Sequence, residues 1–414
     1  MNNHYFRKTC RVCKTPDPRK AIPFSATPVG DAYHNNVNKQ ISSMVFPLDL
    51  YLCEKCGLGQ LLDVVNPELL YGDFIYETAI SVGLSDHFKD YANSVISKFK
   101  LDSNSFVFDI GSNDGTLLKH FKNKNIQVLG CEPASEIANR ALENGIPNIV
   151  DYFTDNVAEE VINSHSIPNV ITSNNTFANI DDIESFIGSI KILLRKNNIF
   201  IFETGYLLDI IQKGLFDTIY HEHLSYFSVM SLDILFKQNG LELFDIELIH
   251  TKGGSLRGFV QLSDGTQNRS SSVAKQIDIE NDFKITQMVP YSNLNRQLTT
   301  MKNSLSETVR KLKGENKSIC GYGASVGVTT FLYYLDIAKE IDYLFDDNPA
   351  KYNLYSPGKN IQVFDSKSIY EIKPDYIIVF AWRYSNIIIS KHKKFVSDIG
   401  KFIIPWPNFE IVGT

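Results

Sequence analysis

Carboxylates and glycines at a fixed spacing form the first group in the chain that could hold a cofactor. The run Phe106-Val107-Phe108-Asp109-Ile110-Gly111-Ser112-Asn113-Asp114-Gly115-Thr116 takes an apolar, strand-like stretch into an acidic glycine turn and then a helix. Gly111 and Gly115 let the backbone pass close to a ligand, with Ser112 and Asn113 between them. The next apolar run, 127–131, ends at Glu132, roughly 20 residues beyond Asp109, where an acidic side chain can accept both hydroxyls of a ribose. Dinucleotide loops need G-x-G-x-x-G so that a pyrophosphate sits on the helix N-terminus. Here the spacing is D-x-G-x-x-x-G, and Asp114 inside the loop would repel a pyrophosphate. These carboxylates suit a cofactor that has an ammonium and a ribose but no phosphate, which describes S-adenosylmethionine (SAM).

The densest cluster of titratable groups lies downstream, at Tyr220-His221-Glu222-His223. It is no zincin helix, because the H-E-x-x-H spacing that puts two imidazoles on one face is absent. An extended or turn backbone sends Tyr220 and Glu222 one way and His221 and His223 the other. A histidine oriented by a carboxylate can act as a general base near neutral pH, and a buried histidine pair satisfied by hydrogen bonds is the competing reading. Further on, His250-Thr251-Lys252-Gly253-Gly254-Ser255-Leu256-Arg257 sets a glycine pair beside Ser255 and Arg257. Such a loop could grip a phosphate or a sugar ring, with Arg257 as a bidentate fork, against the alternative of a salt bridge.

Cys10-x-x-Cys13 and Cys53-x-x-Cys56 present four thiolates on two tight knuckles, the spacing of a tetrahedral structural zinc site. A pair of disulfides or a redox dithiol is the competing reading. The segment between the knuckles exceeds the usual length of about 15–20 residues, and Pro16, Pro18, Pro23 and Pro28 indicate a folded excursion. Four thiolates leave no open coordination position, which assigns the metal to stability rather than chemistry. Cys131 and Cys320 lie in or beside apolar strands and read as buried, inert thiols.

These groups need a scaffold of several cores. The 414 residues, 43% of them apolar, exceed one typical domain. The net charge of −6 with no basic block leaves no electrostatic footprint for nucleic acid or an anionic membrane. No apolar run approaches the roughly 20 residues of a membrane span, and the N-terminus lacks a signal-peptide core, so a cytoplasmic location is expected. The fold class is α/β in three parts: a small zinc-binding module (1–66), a Rossmann-like domain with a helical lead-in (67–265), and a C-terminal Rossmann-like domain with a long connecting helix (266–414). Residues 59–65 form a strand-like run, and 67–101 is mostly helical. Strands are expected at 106–110, 127–131, 170–173 and 199–203, with helices at 134–144, 156–163 and 181–195. This alternation, running to about Gln261, argues for a parallel sheet with helices on both faces. Residues 263–275 read as a polar surface connection and 290–315 as an amphipathic helix. A second nucleotide-fold signal follows, in which strand 318–320 leads into Gly321-Tyr322-Gly323-Ala324-Ser325-Val326-Gly327, with later strands ending at 346–348 and at 376–380 and 402–404. That loop is read either as a wall offering N–H groups to a phosphate or as plain packing.

Taken in order, the four-cysteine module, D-x-G-x-x-x-G, Tyr-His-Glu-His, Gly-Gly-Ser-Leu-Arg and a terminal Gly-Tyr-Gly-Ala resemble the SAM-dependent sugar C-methyltransferases, which add a methyl branch to nucleotide-linked keto-deoxysugars. The resemblance spans nearly the whole chain. It implies a class I methyltransferase Rossmann-like domain, SAM and structural zinc, and a nucleotide-diphosphate keto-sugar held between the methyltransferase and terminal domains. It makes His223 the favoured base, Glu222 its charge partner or a substrate contact, and Tyr220 a hydrogen-bond donor or alternative base, with Tyr76 reaching over the sugar. Asn174 joins the cofactor set, and His221, Lys252, Ser255, Arg257 and Tyr322 the substrate set. Two departures stand out. Asn179 replaces a histidine common in the family and can hydrogen-bond a carbonyl but not serve as base or cation, and Ser325-Val326-Gly327-Val328 lacks the lysine common at the terminal loop. Rival readings are an NAD-dependent nucleotide-sugar oxidoreductase using the terminal domain, a non-catalytic scaffold, and an O- or N-methyltransferase on the same fold. No oligomeric state is assigned.

Overall fold

The computed structural model describes residues 3–35, 44–71 and 83–413. Five apolar runs in the centre of the chain form parallel strands: β1 (Phe106–Ile110), β2 (Gln127–Cys131), β3 (Asn148–Ile149), β4 (Val170–Asn174) and β5 (Ile199–Gly205). All five residues of β1 are buried, as a strand covered by helices on both faces requires. Helices Ser135–Glu143, Asp155–Ser164 and Ile183–Leu193 supply part of that cover and start or stop within two residues of the expected positions. The Asp182 carboxylate caps the last of these by accepting from the Ser185 N–H at 3.2 Å.

The expected alternation stops short of Gln261. Strands β6 (Leu241–Ile249) and β7 (Ser255–Leu262) form a long antiparallel hairpin, giving the order β3-β2-β1-β4-β5-β7-β6 with β7 reversed against both neighbours. The loop expected to grip a phosphate is the turn of this hairpin. Leu84–Phe99 is the helix ahead of β1, preceded by a short helix at Pro67–Tyr71; Tyr76 lies outside the described residues.

The N-terminal module builds an antiparallel sheet from Arg19–Ile22, Leu50–Leu52 and Gly59–Leu61, and its fourth strand is Ser225–Tyr226 from the central domain. The run expected as one strand at 59–65 is split, since Asp63–Val65 pairs instead with His4–Phe6. In the C-terminal part, β8 (Ile319–Tyr322), β9 (Leu344–Asp346), β10 (Val363–Asp365), β11 (Tyr376–Val379), β12 (Lys401–Ile404) and β13 (Glu410–Val412) are ordered β10-β9-β8-β11-β12-β13, with only β13 antiparallel. The connecting helix runs Met288–Gly314 and buries Tyr291, Leu294, Leu298, Met301, Leu305, Val309 and Leu312, a three- and four-residue rhythm that faces one side. The polar connection at 263–275 is shorter than expected, because helix Ser271–Phe283 begins inside it.

One apolar core joins the three parts: Leu50 and Leu61 of the first, Phe177 and Phe227 of the second, and Phe331 and Trp406 of the third belong to one cluster. Helix Val326–Leu335 fastens the assembly through the Thr329 hydroxyl on the Gly30 carbonyl (2.7 Å) and the Thr330 hydroxyl on the Ile219 carbonyl (2.8 Å).

Candidate active site

The carboxyl ends of β1, β2 and β4 open on a cavity of about 310 Å³, at the lower end of the range of small-molecule sites (~300–1,000 Å³). Asp109, Gly111, Ser112, Asn113, Glu132 and Asn174 line it, as do Asn179 and Lys252. Gly115 stands just behind, at φ +78°, as the cap of helix Thr116–Lys122. Gly111 has φ +72°, and a Cβ there would lie 2.2 Å from the Thr176 hydroxyl, so only glycine lets this turn close. Glu132 is clamped by two backbone donors, the N–H of Asn113 (3.1 Å) and of Ala134 (3.0 Å). Burial raises its carboxyl above the usual range while those donors pull it down. Asp109 accepts the Thr172 hydroxyl at 2.6 Å; burial pushes it up to about 7 against that hydrogen bond, and the Glu132 charge adds to the rise. Asn179 Oδ1 is buried with no partner among the described residues, a polar atom left for a ligand to satisfy. Apolar walls from Leu84, Phe88 and Phe186 complete a site that fits an adenosyl cofactor with a cationic, non-phosphate tail.

Next to this cavity the chain turns at 220–223, closed by the His223 N–H on the Tyr220 carbonyl (3.0 Å). The separation of Tyr220 from His223 expected for an extended or turn backbone does not hold, because this turn brings the two side chains together. His223 Nδ1 faces the Thr218 carbonyl at 3.2 Å and so carries the proton, leaving Nε2 to accept the Tyr220 hydroxyl at 3.1 Å. Burial, helped by the Lys252 charge, pushes His223 down to about 3 against the pull of that carbonyl. Glu222 is turned away toward the ion pair of Asp31 and Lys351 (2.7 Å), and burial, reinforced by Asp31 and opposed by Lys351, raises it to about 8. Among the described residues it is the Thr218 carbonyl, and not Glu222, that faces His223 Nδ1.

Four expected substrate contacts are used by the protein itself. His221 is buried, its Nε2 donating toward the carbonyls of Phe46 (3.3 Å) and Pro47 (3.2 Å), so it anchors the turn to the N-terminal module. Ser255 donates to the Thr251 carbonyl within its own hairpin (3.2 Å). The fork of Arg257 is filled by Glu203 (2.6 Å) and Glu247 (3.0 Å), and its guanidinium lies 4.0 Å from the Tyr91 ring centre. His87 also reaches Glu203, at 2.9 Å. Tyr322 gives its hydroxyl to Asp347 (3.0 Å) and meets His392 (3.2 Å) inside the C-terminal domain. The terminal glycine loop is packing: Ala324 N–H is taken by Asp346 (2.6 Å), and a Cβ on Gly327 would lie 2.4 Å from the Asp217 carbonyl.

The sequence reading missed a second cavity of about 300 Å³ lined by Trp382, Arg383, Trp406 and Asn408 at the carboxyl ends of β11 and β12. Arg383 pairs with Asp217 (3.3 Å) and packs against Gly253, which places this cavity beside the Lys252 turn. Its residues carry no periodic motif, and only the usual position of ligand sites at strand ends in α/β sheets could have pointed there.

All four candidate metal ligands converge. The sulfurs of Cys10, Cys13, Cys53 and Cys56 lie within 4.8 Å of one another, with Cys10 to Cys56 at 3.6 Å and Cys13 to Cys53 at 3.4 Å. A zinc ion at about 2.3 Å from each of four sulfurs sets them about 3.8 Å apart, so the cluster fits zinc with small adjustments. Cys131 and Cys320 are buried free thiols, both pushed up to about 12 chiefly by burial.

Three family models match the chain: a zinc binding domain over residues 10–71, a methyltransferase domain over 85–246 and a C-methyltransferase C-terminal domain over 250–407. C-methyltransferase NovU of Streptomyces niveus is 28% identical over 97% of this chain and 96% of its own length. Among solved structures, magnesium protoporphyrin IX methyltransferase of Synechocystis PCC 6803 with bound SAM is 12% identical over 46% of this chain and 86% of that one, at a TM-score of 0.34. A SAM-dependent methyltransferase of Clostridium acetobutylicum ATCC 824 is 12% identical over 48% of this chain and 96% of that one, at a TM-score of 0.35.

Proposed function

Since the chain belongs to the family of SAM-dependent C-methyltransferases, we propose that it methylates a carbon next to the ketone of a nucleotide-diphosphate-linked keto-deoxysugar. The carrying observation is the hydrogen-bonded pair of Tyr220 and Nδ1-protonated His223, set beside the cavity that Asn179 and Lys252 line. A sugar C–H is not a nucleophile, but an adjacent ketone lets a base remove its proton and leave an enolate. When bound, SAM supplies the sulfonium methyl that this carbon attacks.

The protein's part is positioning and proton handling. Tyr220 takes the proton from carbon as its own passes to His223 Nε2, and the Thr218 carbonyl holds the imidazolium in line. Burial and the Lys252 charge keep His223 neutral. An anionic substrate drawn to Lys252 offsets the second of these and makes His223 a better acceptor. Lys252 and the Asn179 amide then face the negative oxygen of the enolate. The cavity beside Trp382 and Arg383 suits the nucleotide, with Arg383 near its phosphates.

The experiment is deuterium uptake from heavy water into nucleotide keto-deoxysugars, with S-adenosylhomocysteine (SAH) bound so that methylation cannot occur. The parent should exchange the hydrogen next to the ketone, and Tyr220→Phe should lose this by about 100-fold or more. Methylation without any such exchange would favour transfer to oxygen or nitrogen, which needs no enolate.

A further inference from the structure

Arg11 lies between two of the four cysteines, in the knuckle Cys10-Arg11-Val12-Cys13, and its side chain is fully buried. That side chain leaves the knuckle and ends between two segments of the central domain. Its Nε and Nη2 both lie 2.9 Å from Asp181 Oδ1, while Nη1 donates to the Leu61 carbonyl and to the Leu224 carbonyl at 3.2 Å. Asp181 stands two positions after Asn179 and lines the same cavity, and Leu224 directly follows His223. The two segments also meet each other, through the Leu224 N–H on the Ala178 carbonyl at 2.9 Å. Arg7 and Tyr5, from the same module, add their own bonds to Asp181.

We propose that Arg11 is a positioning residue of the methyl-transfer site: from inside the zinc knuckle it fixes the register of Asn179 against the Tyr220 and His223 pair. The metal-bound module thereby sets the geometry of the site as well as its own fold. A buried ion pair is a weak source of stability, since desolvation offsets the attraction, but a rigid guanidinium serving a carboxylate and two carbonyls at once fixes direction in a way that a lysine cannot. Ser225–Tyr226 extends the same coupling, because this strand belongs to the module's sheet.

The inference takes the role of Tyr220 and His223 from the reading above, but its test measures geometry and needs no substrate. Hydrogen exchange by mass spectrometry and ¹⁵N-histidine spectra would be recorded on the full zinc-loaded chain, parent against Arg11→Met and Asp181→Asn. Expected in both variants are retained zinc, amides of 220–226 exchanging at least tenfold faster, unchanged β1 and β2, and a His223 signal moved toward averaged tautomers, with SAH affinity within threefold of the parent in Arg11→Met. Parent-like protection of 220–226 with an unchanged His223 signal overturns the proposal. Asp181→Asn cuts the contact from the side away from the metal and decides alone if Arg11→Met fails to fold. Faster exchange in β1 and β2 as well, in Asp181→Asn, also overturns it, because that marks general destabilisation. If SAH does not bind the parent, the functional reading fails while the exchange comparison still stands.

Discussion

Tyr220 and His223 show how far single residues could be read. Their types announced acid–base chemistry, yet simple alternation of side chains separated them, whereas the turn at 220–223 puts the hydroxyl on Nε2. Local sequence carries no strong signal for that turn, since none of the four residues is glycine, proline or asparagine. Glu222 gives a prediction at this scale. Its carboxyl is raised from 4.5 to about 8, chiefly by burial, so the folded chain keeps a proton that the unfolded chain releases. That contribution to stability is full below the ordinary carboxyl value and is lost as pH rises through the window toward about 8, at about 1.4 kcal/mol per unit of displacement. Glu222→Gln should flatten the fall in melting temperature between pH 5 and 8, measured by calorimetry across that range.

Among the elements, the parallel strands were the most legible, because β1, β2, β4 and β5 are continuous apolar runs bounded by glycine or polar turns. The β6–β7 hairpin was not, since the Lys-Gly-Gly turn that joins its strands resembles a ligand loop in sequence. Arg257 followed the same error: its fork matches a phosphate in sequence, but mid-sheet it needs and finds Glu203. Two glycines separate the elements experimentally. Gly111→Ala would force a Cβ onto Thr176 at a positive φ, costing about 1–3 kcal/mol and at least tenfold in SAH affinity by titration calorimetry. Gly327→Ala would instead push helix Val326–Leu335 off Asp217, lowering melting temperature and turnover while SAH binding stays within threefold.

At the scale of the whole molecule, the three parts were legible but their joints were not, because joints are contacts between residues far apart in sequence. Arg11 with Asp181, Ser225 with Gln60 and His221 with Phe46 have no local signature. No described helix is long and apolar enough to cross a membrane. The shared sheet makes zinc removal a global event. Apparent metal-binding energies of about 10–16 kcal/mol in small zinc modules are folding energy, so chelation should lower the melting temperature and speed exchange at 220–226 as well as around the cysteines. His221 adds an acid limit. Burial depresses it from 6.5 to about 4, so its contribution is present above pH 6.5 and is lost as pH falls toward 4.

The central claim is transfer of a methyl to carbon beside a ketone. The most direct measurement incubates the zinc-loaded protein with [methyl-¹³C]SAM and nucleotide keto-deoxysugars and reads the product by carbon NMR. A labelled methyl coupled to a ring carbon adjacent to the carbonyl is the predicted result. A labelled methyl bound to oxygen or nitrogen would contradict it.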